Sequence, residues 1–173
     1  MVKIFTAYAE GFLVLNSDRV RCALGKEGVV PAADKREGDL RSPLGMWPVR
    51  YVYYRPDRLP VPETVLPVKA LSPDDGWCDD AGSDLYNLPV KLPFEGSHEK
   101  LWREDHVYDL IVVLGHNDDP PVKGLGSAIF LHLAREDYSG TEGCVALSQD
   151  HLLELLKSAD AETYVEISHK SLP

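Results

Sequence analysis

The sequence lacks any apolar run approaching the ~18 residues that a membrane span needs. It also lacks paired cysteines. Cys22, Cys78 and Cys144 are the only three, an odd number with no Cys-x-x-Cys spacing, so neither a disulfide framework nor a zinc-thiolate site is expected. No His-Glu-x-x-His occurs, and His116, His132, Cys144 and His151 follow no metal-ligand spacing. Gly124-Leu125-Gly126-Ser127 is not a dinucleotide loop, because no further glycine follows and a strand comes next. The Gly-x-Ser-x-Gly elbow of serine hydrolases is missing. No metal and no cofactor is therefore expected. Basic residues are in deficit, 18 against 28 acidic, for a formal charge of −10. Such a surface repels polyanions, which disfavours a nucleic-acid or anionic-membrane partner. At the N-terminus, Ile4-Phe5-Thr6-Ala7-Tyr8-Ala9 is cut short by Glu10-Gly11 and follows no basic stretch. The expectation is a cytoplasmic protein, or a periplasmic one if a leader has been removed. Nothing in the sequence sets an oligomeric state.

What is present is an ordinary globular composition. The chain has 173 residues, 44% apolar and 27% charged, enough for one domain, 1–173, with its own core. Short β-branched and aromatic runs predominate. Residues 2–8, 12–15 and 20–24 read as strands separated by Glu10-Gly11 and Asn16-Ser17-Asp18. Residues 35–45 form a polar, glycine-punctuated loop, and 47–54 resume a strand pattern. Residues 55–106 are rich in Pro, Asp and Gly. Their aromatics Trp77, Tyr86, Phe94 and Trp102 exclude disorder, so ordered loops are expected over the core. Strands follow at 107–114, 127–133, 143–147 and 163–168. One helix is predicted from Gln149 to about Ala159, with Ser148 as N-cap, Asp150 in the first turn and Leu152, Leu153, Leu155 and Leu156 as its apolar stripe. The fold class is mainly β, a barrel or sandwich with one helix.

Chemistry concentrates at His132 and Cys144. The histidine sits near the end of one strand and the cysteine opens the next. A hairpin-like connection would bring the two side chains together. A thiol with an ordinary pKa near ~8.5 is mostly protonated at neutral pH, and a neighbouring imidazole can take its proton. Gly143 allows close backbone approach, and the N–H groups around Gly143 and Cys144 are candidate oxyanion donors. From these residues alone, a packed thiol beside a hydrogen-bonded histidine explains the pattern as well as a nucleophile with its base. Cys22, inside a strand run, reads as a small buried hydrophobe. Cys78 lies among aspartates that would raise its pKa, which disfavours it as a nucleophile.

Two motifs distinguish these readings. Ser127-Ala128-Ile129-Phe130-Leu131-His132, followed by Thr141-Glu142-Gly143-Cys144-Val145-Ala146-Leu147, resembles the signature of the L,D-transpeptidase catalytic domain. Upstream, Gly38-Asp39-Leu40-Arg41-Ser42-Pro43-Leu44-Gly45 is similar to that family's Gly-Asp-x-x-Thr-Pro-x-Gly, with Ser42 in the threonine position. The resemblance implies a mainly β, barrel-like catalytic domain with one helix after the cysteine. It makes Cys144 the nucleophile, His132 its base and Gly143 part of the oxyanion segment. It implies a peptidoglycan stem tetrapeptide as substrate, cut at the L,D bond before terminal D-Ala. The acceptor would be water in an L,D-carboxypeptidase of wall recycling, which is the reading favoured, or an amine in a cross-linking L,D-transpeptidase. A binding module that keeps the fold without the chemistry is a third reading. The sequence departs from the family pattern at Leu133, Glu142 and Ala146, where many members carry Gly or Ser, His, and Arg or Asn. Arg135 is the nearest basic residue to replace the arginine, and a guanidinium suits a substrate carboxylate. Thr141, Trp77 and Asn117 complete the predicted substrate contacts. Asp79, Asp80, Asp118 and Asp119 are further acidic candidates, though loop aspartates commonly serve turns.

Overall fold

In a computed structural model, residues 1–169 are described; residues 170–173 of the expected 1–173 domain lie outside them. The chain forms β1 (Lys3–Tyr8), β2 (Phe12–Leu15), β3 (Asp18–Ala23), β4 (Val29–Pro31), β5 (Ser42–Tyr54), β6 (Val68–Ala70), β7 (Asp75–Cys78), β8 (Pro89–Lys91) and β9 (His98–Lys100). Then come β10 (Leu110–Leu114), β11 (Phe130–Leu133), β12 (Val145–Leu147), α1 (Gln149–Ser158) and β13 (Thr163–Ser168). The main sheet runs β10-β11-β12-β3-β2-β1-β13-β5, with β4 and β6 flanking β5. Closure comes from the length of β5. Gly45–Pro48 pair with β13, and Val49–Tyr54 pair with β10 at the other end of the order. One long strand thus serves two edges and leaves a barrel-like ring, as the mainly β composition implied.

Alternation of side chains divides the apolar residues into two cores. Leu110, Val112 and Leu114 of β10 join Leu131, Leu133, Val145, Leu147 and the α1 leucines Leu152, Leu155 and Leu156 in the larger one. Ile111 and Val113 join Phe130, Trp77, Tyr108 and Cys144 in the smaller one, on the opposite face. The predicted helix is present with its cap, since the Ser148 hydroxyl accepts from the His151 N–H at 3.3 Å.

Three expectations are corrected. Residues 55–106 are not only loops: β8-β7-β9 form a second, three-stranded sheet. Each of its strands is too short to show periodicity, and Gly and Pro within them read as turns. Residues 42–45 belong to β5, because Ser42, Pro43 and Leu44 pair in parallel with β4. Finally, β11 and β12 are not joined as a hairpin. They are parallel, with Leu131 opposite Val145 and His132 opposite Ala146. The chain between them crosses over, and a bridge of Thr141 to Gly25 pins it.

Candidate active site

The parallel register places the two reactive side chains. Phe130 and His132 point to one face of β11. Ala146 of β12 and Cys144, just before that strand, share that face, while Leu131, Leu133, Val145 and Leu147 fill the larger core behind it. In front lies a cleft of about 780 Å³ lined by both His132 and Cys144, within the range that takes a small ligand. The second sheet and the chain after it supply a wall with Asp79, Ser97, Glu99, Arg103 and Tyr108.

Short hydrogen bonds shape the turn ahead of Cys144. The Thr141 hydroxyl donates to the Cys144 carbonyl at 2.7 Å and accepts the Gly143 N–H at 3.1 Å. Gly143 has φ +140°, and a Cβ there would stand 2.9 Å from the Arg41 carbonyl oxygen, so only glycine fits. Its own carbonyl accepts from the Ser42 hydroxyl at 2.8 Å. The Gly143 N–H, an expected oxyanion donor, is therefore already committed to Thr141. The Cys144 N–H finds no acceptor among the described residues.

Two hydrogen bonds hold the thiol. It donates to the Ala128 carbonyl at 3.1 Å and its sulfur accepts the Phe130 N–H at 3.4 Å. Burial raises its pKa, and the nearby carboxyls of Glu99 and Glu142 add to the rise against the opposing Phe130 N–H and Lys35. Burial lowers His132 to about 4. The His132 Nδ1 lies 3.0 Å from the Leu133 carbonyl oxygen. A carbonyl only accepts, so Nδ1 carries the proton and Nε2 the lone pair. Tyr108 packs edge-on to the imidazole with centroids 5.4 Å apart, and its hydroxyl donates to Glu99 at 2.7 Å. Largely desolvated, Glu99 is pushed up to about 7, with the Tyr108 bond opposing the shift and the Glu142 and Asp79 charges adding to it.

Charges in the cleft divide into two groups. Arg103 grips Asp105 through two bonds of 2.7 and 2.6 Å, and Arg135 approaches the same carboxylate at 3.5 Å. Glu37, Glu99, Glu142 and Asp79 form the acidic side, and none of them has an ion-pair partner among the described residues.

Of the sequence-predicted residues, Cys144, His132, Arg135 and Thr141 line the cleft, and Gly143 directly precedes the thiol. Trp77 and Asn117 do not line it. The Trp77 indole is buried edge-on against Phe130 and donates to Asn87 at 3.0 Å, so it anchors the wall from behind. Asn117 ties its own loop through Val122 and Gly126. Asp79 reaches the cleft, whereas Asp118 pairs with Arg50. His116 is buried edge-on against Trp47, and burial lowers it to about 4. Sequence reading missed Glu99, Arg103, Tyr108 and Ser42 as parts of the site. Only Ser42 carried a signal, its place in the upstream motif. No group of residues suited to hold a metal is found among the described residues.

The class is a barrel-like β domain that carries His132 on β11 and Cys144 immediately before the parallel strand β12. The chain belongs to the L,D-transpeptidase catalytic domain family (YkuD), whose model matches residues 3–167. That family acts on peptidoglycan peptides. Among solved structures, the chain is similar to the helical cell shape determining protein Pgp2 from Campylobacter jejuni, at 14% identity and a TM-score of 0.49, over 99% of this chain and 49% of that one. A point mutant of Pgp2 matches at 14% identity and a TM-score of 0.48, over 99% and 48%. The chain thus spans about half the length of Pgp2. No curated protein matches it.

Proposed function

We propose that the protein is a cysteine L,D-carboxypeptidase that shortens peptidoglycan stem tetrapeptides by their terminal D-Ala. The observation that carries this reading is the parallel register that sets His132 and Cys144 on the cleft face of neighbouring strands. The Cys144 sulfur attacks the carbonyl carbon of the third residue, at its L centre. The thiol proton passes to the His132 Nε2, whose tautomer the Leu133 carbonyl holds. The tetrahedral oxyanion is held by the Cys144 N–H. Collapse breaks the C–N bond, and His132 returns the proton to the departing D-Ala amine. Water, deprotonated by His132, then attacks the thioester, releasing the tripeptide acid and the thiol.

Burial raises the thiol and lowers the imidazole, which disfavours a thiolate–imidazolium pair ahead of attack. Proton transfer accordingly accompanies attack on the substrate. Arg135 offers its guanidinium to the terminal carboxylate, and Thr141 holds the nucleophile's turn. A volume of about 780 Å³ suits one peptide at a time, which favours water over a second stem as acceptor.

Incubation with a defined muropeptide tetrapeptide tests this. Tripeptide alone is the expected product; a cross-linked dimer or exchange of D-amino acids would replace hydrolysis with transpeptidation. The resting Cys144–Ala128 bond favours one further reading, a wall-peptide binding module. Intact mass after exposure to a carbapenem separates it: an adduct on wild type that Cys144→Ala lacks supports the enzyme, while no adduct together with retained peptide binding supports the module.

A further inference from the structure

Ser42 lies at the start of β5, far from Cys144 in sequence and fully buried. Its hydroxyl makes two bonds at once. It accepts the Gly25 N–H at 3.0 Å and donates to the Gly143 carbonyl at 2.8 Å. With its acceptor side taken by Gly25, the proton is directed at Gly143. The Gly143 carbonyl shares a peptide plane with the Cys144 N–H. That peptide is trans, so the carbonyl and the N–H point in opposite directions. Fixing one fixes the other: the Cys144 N–H faces away from Ser42, and it has no acceptor among the described residues.

The rest of the turn removes the alternatives. Thr141 occupies both the Gly143 N–H and the Cys144 carbonyl. The Gly143–Cys144 plane is the one left to be set from outside the turn, and φ at Gly143, +140°, leaves it no β-carbon to wedge it in place. Without the Ser42 bond, a glycine-hinged peptide would be free to rotate.

We propose that Ser42 is a positioning residue that aims the Cys144 N–H at the oxyanion formed during acyl transfer. This rests on the acyl-enzyme reading above. Ser42 touches neither substrate nor thiol. It acts through one peptide plane, and its loss impairs steps that develop an oxyanion while sparing steps that do not.

Two reactions of the same sulfur separate those cases. Acylation by a carbapenem passes through a tetrahedral oxyanion, whereas alkylation by iodoacetamide is a direct displacement without one. Ser42→Val and Ser42→Thr have the same shape and differ in the hydroxyl; Ser42→Ala provides a smaller variant should the branched side chains not fold. Both rates are read at Cys144 by mass spectrometry, with melting temperatures confirming the folded state. The expected result is acylation slowed about 10- to 100-fold in Ser42→Val and Ser42→Ala. Alkylation stays within about two-fold, and Ser42→Thr acylates like wild type. Equal loss of both rates would overturn the proposal, since Ser42 would then merely hold the thiol in place. So would unchanged acylation in Ser42→Val, or equal loss in Ser42→Thr and Ser42→Val. A wild type that alkylates yet never acylates would overturn the acyl-enzyme reading, and the proposal with it.

Discussion

The strand that leads from Cys144 separates two thiols. Cys22 on β3 pairs with Leu147 and faces the larger core; Cys144 faces the smaller core and the cleft. Both are buried, and burial raises the pKa of both, Cys22 to about 12 and Cys144 still further. Neither low pKa nor exposure sets the proposed nucleophile apart. What differs is the surrounding backbone. Cys144 follows a glycine with positive φ and lines the same cleft as an imidazole with a fixed tautomer. Cys22 has a regular strand and neighbouring apolar side chains. The proposed reactivity of Cys144 therefore rests on its turn and cleft, not on a low pKa.

Removing the thiols one at a time is the severest test of that contrast. Cys144→Ala is expected to abolish tripeptide release, a loss of at least about 10³-fold. Cys22→Ala should leave turnover within about two-fold and cost about 1 kcal/mol of stability from the small cavity. Equal losses from both, followed by chromatography of the muropeptides, would erase the distinction. His132→Ala comes next, with kcat falling about 10²- to 10⁴-fold and KM little changed, because its role lies in proton transfer.

Glu99 sharpens the comparison through pH. Its folded-state pKa lies above the ordinary carboxyl value, so the folded protein binds a proton more tightly than the unfolded chain between about 4.5 and 7. Stability contributed by this group is present at low pH and is lost as pH rises through that window. Glu99→Gln should therefore be more stable than wild type at pH 8 by about 1–3 kcal/mol in urea unfolding, with the gain gone at pH 4. The same substitution removes a carboxylate that opposes the Cys144 thiolate, so alkylation of Cys144 at pH 8 should quicken about 3- to 10-fold; Cys22 should not respond. Smallest is Arg135→Ala. Half-exposed and shared with Asp105, this guanidinium should raise KM for the tetrapeptide about 3- to 10-fold with kcat nearly constant, and a substrate amidated at its C-terminus should show no such difference.

Much of the barrel was legible because its strands carry β-branched runs bounded by turn residues, and α1 because its leucine stripe and Ser148 cap coincide. The pairing of β11 with β12 was not. Sequence gives strand ends and the distance between them, but a hairpin and a crossover differ only in where the intervening chain goes, and here the Thr141–Gly25 bridge decides it. Cys144, His132 and Gly143 stood out through their motifs. Glu99 did not: it occupies a short strand, β9, placed by its antiparallel pairing with β7. Trp77 illustrates the opposite case, a residue open to two readings, cleft wall or loop anchor, of which the structure bears out the anchor. An aromatic residue in a polar loop suggests a cleft wall, yet its indole N–H satisfies Asn87, and its ring fills the gap behind Phe130. Side chains contributed by long-range pairing remain hidden in one dimension.

The second sheet is more than a wall. Because β10 is apolar on both faces, Ile111, Val113 and Phe130 depend on β7–β9 and the chain around them for cover. In engineering terms the segment 75–100 is not a detachable insert. Trimming it to widen the cleft would bare a flat apolar patch on the strand next to the one that carries His132, the kind of surface that recruits another copy. A slimmer version of this domain would first need polar side chains at 111 and 113, a change made on the strand beside the one that carries the imidazole.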